Sequence, residues 1–123
     1  MMVRVMVVDD EPDIRMVLSK MLRKRGYEVE LCESAEEALE LLSTGKLPDV
    51  IIMDLMMPGM SGIEACRAIK SDDRLSGIPV IILTVMSEPE AKQESREAGA
   101  DAHVDKPINM AKLFSTIEKL LQK

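Results

Sequence analysis

The chain has no tryptophan, one tyrosine, one phenylalanine and one histidine in 123 residues. So few aromatic rings count against a flavin module, which needs rings to stack on its isoalloxazine. Cysteine is equally scarce. Cys32 and Cys66 cannot make a disulfide framework, and they read as small core residues of a reducing compartment. No apolar run approaches the roughly 18 residues of a membrane helix. The N-terminal MMVRVMVV meets Asp9, Asp10 and Glu11 at once, too soon for a signal-peptide core with its cleavage site. Basic charge is the minority: 16 Lys and Arg against 22 Asp and Glu, for a net charge of −6. That balance argues against direct nucleic-acid binding, which relies on a basic surface. The one basic run, Lys20 to Arg25, reads as the solvated face of a helix. These absences lead us to expect a cytoplasmic chain with no membrane contact.

What is present is enough for one core. Apolar residues make up 46% and charged residues 31%, and the length suits a single domain over residues 1–123. There is no low-complexity stretch and no internal linker. The hydrophobic period alternates instead. Val3–Val8 is a short β-branched run of the buried-strand kind. Ile14, Val17, Leu18, Met21 and Leu22 then mark one helical face, with Pro12 in the first turn and Gly26 at the end. Tyr27–Cys32 alternates like an edge strand. Ser34 and Glu37 have capping-box spacing ahead of a helix that Gly45 and Pro48 close, and Ser61 and Glu64 repeat that spacing ahead of another. Val50–Met53 and Val80–Leu83 read as buried strands, and Ala102–Val104 as a short one. The segment from Ser87 to Ala98 has few apolar residues and predicts a weakly anchored, solvated helix. Asn109 can cap a last helix that buries Leu113, Phe114, Ile117, Leu120 and Leu121. The eleven methionines read mostly as core filler. Five β–α units in succession predict a parallel sheet covered by helices on both faces, with any ligand beyond the carboxyl ends of the strands.

Polar residues collect at those ends. Asp9 and Asp10 follow the first strand, Asp54 the third, Thr84 the fourth and Lys106 the fifth. Singly, each has a plain reading as helix-entry charge, loop hydroxyl or solvated amine. Together they suit one chemistry. Crowded carboxylates repel unless protonated or bridged by a cation, and Mg²⁺ prefers such hard oxygen ligands while keeping several waters. A lysine can pair with a phosphoryl oxygen as a point charge, and a hydroxyl can donate to another. An aspartate at the tip of an apolar strand, as in VIIMDLMMPGMSG (Val50–Gly62), can then act as a nucleophile on phosphorus.

Four motifs in order, VVDDEPDIR, DLMMPGMSG, ILTVMS and VDKPI, resemble the receiver (CheY-like) domain of two-component response regulators, over essentially the whole chain. The resemblance implies a flavodoxin-like α/β fold, a doubly wound sheet of strand order 2-1-3-4-5. It implies that Asp54 accepts a phosphoryl group from a sensor histidine kinase or phosphotransfer protein. Asp10, Asp54 and the main-chain carbonyl of Met56 would hold Mg²⁺, with Asp9 acting through water. Thr84 and Lys106 would contact the phosphoryl group, and the Lys106-Pro107 peptide would be cis. The face of helix 4, strand 5 and helix 5 would change shape to control a downstream effector or output domain, and a phosphorylation-dependent homodimer is among the partners the resemblance allows. Such a domain is a phosphoacceptor that catalyses its own modification, not an enzyme with a separate substrate.

The chain departs from the family three residues before Lys106. His103 stands where Tyr or Phe usually swings inward, so it is either an exposed strand residue or a smaller, titratable switch. The resemblance also implies that the positions two residues beyond Asp54 and Thr84 flank the path of attacking water; Met56 and Met86 stand there, and two apolar side chains predict a long-lived phosphorylated form. Among rivals, a haloacid-dehalogenase-like phosphohydrolase needs a second acid where Met56 stands and has a cap domain. A flavodoxin needs a hydroxyl-rich phosphate loop where Asp9, Asp10 and Glu11 stand. A receiver fold kept only as an interaction scaffold has no need of the intact acidic pair, acceptor, threonine and lysine.

Overall fold

The computed structural model describes residues 2–85 and 89–122. Five strands alternate with five helices: β1 Arg4–Val8, α1 Pro12–Lys24, β2 Glu28–Cys32, α2 Ala35–Leu42, β3 Val50–Asp54, α3 Gly62–Ser71, β4 Val80–Val85, α4 Pro89–Glu97, β5 Ala102–Lys106 and α5 Met110–Leu121. All strand pairs are parallel, and the order is β2-β1-β3-β4-β5. The doubly wound sheet of order 2-1-3-4-5 is therefore present, with β2 at one edge as its alternating pattern predicts.

Side chains of the strands alternate between two cores. Met6, Ile51, Met53 and Ile82 pack with Ala38 and Leu42 of α2 and Ala65 and Ile69 of α3. Val5, Val7, Ile52, Ile81 and Leu83 pack on the opposite face with Leu18 and Leu22 of α1 and Leu113, Phe114 and Ile117 of α5. Because β3 is buried on both faces, every one of its residues is apolar except the last, Asp54. Each fully buried aliphatic side chain here contributes about 1.5–3 kcal/mol. Cys32 and Cys66 are buried and unpaired, as their small-residue reading requires.

The caps explain where the helices start. Ser61 and Glu64 form a complete capping box on α3, and Asn109 accepts from the Lys112 amide on α5. At α2 the box is only half made. Ser34 accepts from the Glu37 amide, but Glu37 reaches one residue further back and accepts from the Glu33 amide. Gly26 ends α1 with φ of 95°, a conformation that favours glycine.

Two expectations need correction. The apolar stripe of α1 is wider than its buried part: Leu18 and Leu22 are enclosed, but Val17 is 53% and Met21 37% exposed. This helix shares its face of the sheet with α5, so only one narrow row of its side chains reaches the strands. Methionine is more divided than its core-filler reading: Met6, Met53 and Met57 are buried and Met60 and Met110 pack against the cores, while Met2, Met16, Met21 and Met56 are exposed. The predicted weak anchoring of the fourth helix holds. In α4 only Ser95 is fully enclosed, and Ser87 and Glu88 of the predicted segment lie outside the described residues.

Candidate acidic phosphoryl-transfer site

Strand ends supply the site. Strands β3, β4 and β5 run further than their apolar cores imply, so that Asp54, Thr84 and Lys106 are strand residues themselves. Asp9 follows β1 directly, and its amide donates to the Cys32 carbonyl at 3.1 Å, prolonging the pairing with β2. Its carboxylate is fully buried. Asp9 Oδ1 accepts from the Glu11 amide at 2.9 Å, and the Asp9 carbonyl accepts from Arg15 Nη1 at 2.7 Å. The β1–α1 turn is thus locked before α1 begins.

Lys106 crosses to this turn from β5. Its Nζ lies 3.2 Å from Asp54 Oδ1, 3.3 Å from Asp9 Oδ2 and 3.5 Å from Glu11 Oε1. One ammonium therefore serves three carboxylates. Burial works against the charged amine, but Asp54 and Asp9 outweigh it and hold the Lys106 pKa above its ordinary value. Asp54 is only 6% exposed. Burial first, then the charge of Asp9, pushes its pKa up to about 6; Lys106 pulls it back, and Asp10 adds a smaller push.

The sequence-level site is thus assembled unevenly. Asp9, Asp54 and Lys106 meet. Thr84 is buried one strand away, and its hydroxyl donates to the Val85 carbonyl at 3.3 Å. Asp10 is exposed and stands outside the tight cluster. Among the described residues, the carboxylate oxygens that lie within 4.8 Å of one another belong to Asp9, Glu11 and Asp54. Glu11 was not singled out by the sequence as a site residue, although it completes the acidic run Asp9-Asp10-Glu11. Met56 is 63% exposed at the head of the β3–α3 loop. The Lys106-Pro107 peptide is cis. Met86 lies outside the described residues.

Gly62 also escaped sequence reasoning. Its amide donates to the Leu55 carbonyl at 2.9 Å. A Cβ at this position would stand against the Asp54 carbonyl oxygen, closer than real Cβ atoms come, with Leu55 Cα 3.1 Å away. The start of α3 can approach the end of β3 only because this residue has no side chain. The sole signal was a glycine directly behind the cap Ser61.

The donor set fits Mg²⁺. Three hard oxygen groups converge, and the carboxyl of Asp54 is held against ionisation by burial and a like charge, a strain that a divalent cation relieves.

Fold and site together define a doubly wound α/β domain with an acidic, lysine-bridged pocket at the carboxyl ends of its strands. The family model for the response regulator receiver domain matches residues 5–118. Response regulator MprA of Mycolicibacterium vanbaalenii is 35% identical over 125 aligned residues, which take in 100% of this chain and 52% of that protein. The chain spans about half the length of the curated relatives it matches. Two solved structures superpose closely. The signal receiver domain of a signal transduction histidine kinase from Syntrophus aciditrophicus has a TM-score of 0.90 and 37% identity, covering 96% of this chain and 89% of that one. Chemotaxis response regulator CheY4 of Vibrio cholerae has a TM-score of 0.89 and 36% identity, covering 98% and 100%. The chain belongs to the response regulator receiver domain family, and the phosphohydrolase reading is not favoured.

Proposed function

We propose that Asp54 is the phosphoacceptor of a two-component system, modified by a sensor histidine kinase or a phosphotransfer protein. The observation that carries this is the position of Lys106 Nζ, 3.2 Å from Asp54 Oδ1 and 3.3 Å from Asp9 Oδ2 at adjoining strand ends. A carboxylate oxygen of Asp54 attacks phosphorus, the P–N bond of a phosphohistidine breaks, and the imidazole leaves and takes up a proton. Lys106 neutralises one phosphoryl oxygen, and the Thr84 hydroxyl turns from the Val85 carbonyl to donate to another.

Asp10, Asp54 and the Met56 carbonyl would hold Mg²⁺ directly and Asp9 through water, which requires the exposed Asp10 side chain to turn in toward the cluster of Asp9, Glu11 and Asp54. Bound Mg²⁺ supplies charge neutralisation among these carboxylates and on the incoming phosphoryl oxygens. The positioning comes from the chain's own residues, so the domain promotes its own phosphorylation and acts on no separate substrate. This role belongs in the cytoplasm. The output is a change in the α4, β5 and α5 surface, read by a downstream effector or output domain and able to support a homodimer. The low apolar content of α4 supports that assignment, since a weakly anchored helix is the cheapest element to move. An interaction scaffold without phosphorylation has less support, because it gives no reason to keep Asp54 buried at the cost its raised pKa records.

Intact-mass spectrometry with acetyl phosphate tests the proposal. One added phosphoryl group is expected with Mg²⁺. Its persistence in Asp54→Asn, or equal labelling in chelator, refutes the assignment.

A further inference from the structure

A buried hydroxyl stands where α4 meets β5. Ser95 is fully enclosed, and α4 buries no other side chain as completely. Its Oγ donates to the Lys92 carbonyl at 2.9 Å and also contacts Nε2 of His103 on β5. A serine hydroxyl carries one hydrogen. With that hydrogen on the Lys92 carbonyl, Ser95 accepts from His103; this arrangement assigns the neutral imidazole the Nε2–H tautomer and leaves Nδ1 to titrate.

A second tie lies one strand repeat further along. Asp105, on the same side of β5 as His103, places Oδ1 2.9 Å from Lys92 Nζ. The two groups form a close ion pair, and Lys92 holds the Asp105 carboxyl below its ordinary pKa. Lys92 therefore contributes its carbonyl to one tie and its ammonium to the other. Asp105 is paired in register with Thr84, and Lys106 is the next residue, so both ties adjoin the acidic pocket.

We propose that Ser95 and His103 form a titratable latch, backed by Lys92 and Asp105, that holds α4 against β5 and opens when the imidazole is protonated. Ser95 is a positioning residue that acts through His103. The charges around the ring set the direction. From α4, Arg96 and Lys92 both oppose an imidazolium; on β5 only Asp105 favours it, and Lys112 of α5 draws on Asp105 as well. The facing residue of β4, Ile82, is apolar and buried. Burial of the ring acts first and in the same sense as the α4 charges, so the His103 pKa lies below its ordinary value. A proton on Nδ1 leaves the Nε2–H bond to Ser95 in place, but it charges a ring that the fold keeps from water beside Arg96 and Lys92, so lifting α4 and hydrating the ring becomes the favoured state. The latch deepens the receiver reading, because it ties down the surface assigned there to output.

Two NMR measurements on the metal-free protein test this. Ring ¹⁵N shifts report the tautomer and midpoint of His103, and amide exchange, corrected for intrinsic rates, reports the opening of α4. The Nε2–H tautomer is expected, with α4 exchange speeding up as pH falls through the His103 midpoint. Ser95→Ala should lose the tautomer preference and raise α4 exchange about fivefold at pH 7.5, the effect of one net hydrogen bond. His103→Gln keeps a donor for Ser95 but cannot titrate, so its α4 exchange should not respond to pH. An Nδ1–H tautomer overturns the proposal, as does α4 exchange that ignores the His103 midpoint or keeps its pH dependence in His103→Gln. None of these readouts involves a phosphoryl group. The acceptor role of Asp54 is tested separately by beryllofluoride with Mg²⁺, so failure of the latch and failure of the receiver reading are distinguishable.

Discussion

Asp54→Asn should stabilise the metal-free protein at neutral pH, although it removes the residue on which the proposed function depends. The carboxyl of Asp54 ionises near 3.8 in an unfolded chain and near 6 in the fold, chiefly because burial and Asp9 oppose its charge. A group whose folded pKa is raised lends the fold a stability that is complete below the unfolded value. That stability is lost as pH rises through the folded value. Here the window runs from about 3.8 to about 6. Above it, keeping Asp54 ionised costs up to about 3 kcal/mol, since each pKa unit is worth about 1.4 kcal/mol. The attraction of Lys106 is already contained in that net figure. Asparagine has the same shape and no charge, so at pH 7.5 in chelator the variant should melt up to roughly 10 °C higher. Near pH 4 the two proteins should melt together, because folded Asp54 is then protonated. Adding Mg²⁺ should raise the wild-type melting temperature and move that of the variant little. Thermal melts at both pH values decide the matter. A variant no more stable than wild type at pH 7.5, or one with an equal gain at pH 4, would show that ionisation of Asp54 is not the source of strain.

Three further outcomes are expected. Gly62→Ala should lose about 1–3 kcal/mol in urea melts, because its methyl group overpacks the Asp54 carbonyl; a neutral change would mean that α3 does not need this close approach. Lys106→Ala should still bind Mg²⁺ but, in chelator, should raise the Asp54 pKa further above its ordinary range, since the neighbouring cation that lowers it is gone; carboxyl ¹³C titration showing an unchanged midpoint would contradict the bridge. Met56→Asn should speed loss of phosphoryl from Asp54 severalfold, because a polar group at this exposed position can orient water where a thioether cannot; unchanged decay by phosphoprotein mass spectrometry would remove Met56 from the water path.

Much of this architecture was set by local chemistry. The periods of 2 and 3.6, the caps at Ser61 and Asn109, and the apolar runs Val50–Met53 and Val80–Leu83 depend on side-chain direction and near-neighbour hydrogen bonds, which the order of residues carries directly. The polar residues at the strand ends were legible for the same reason: a parallel sheet with helical crossovers brings all its carboxyl ends to one edge. What the tertiary structure alone decided is which of those groups touch, and at what cost. Asp9 and Asp10 are neighbours in sequence, yet one is fully buried under Lys106 and the other is exposed, because successive residues leaving a strand face opposite ways. Glu11 joins the cluster through the turn that the Asp9 side chain closes, and Gly62 matters only because α3 starts against the Asp54 carbonyl. No period or spacing pairs Ser95 with His103, which lie on different elements. Contacts between elements depend on how helices settle on the sheet, and that is a property of the whole packed core rather than of any segment.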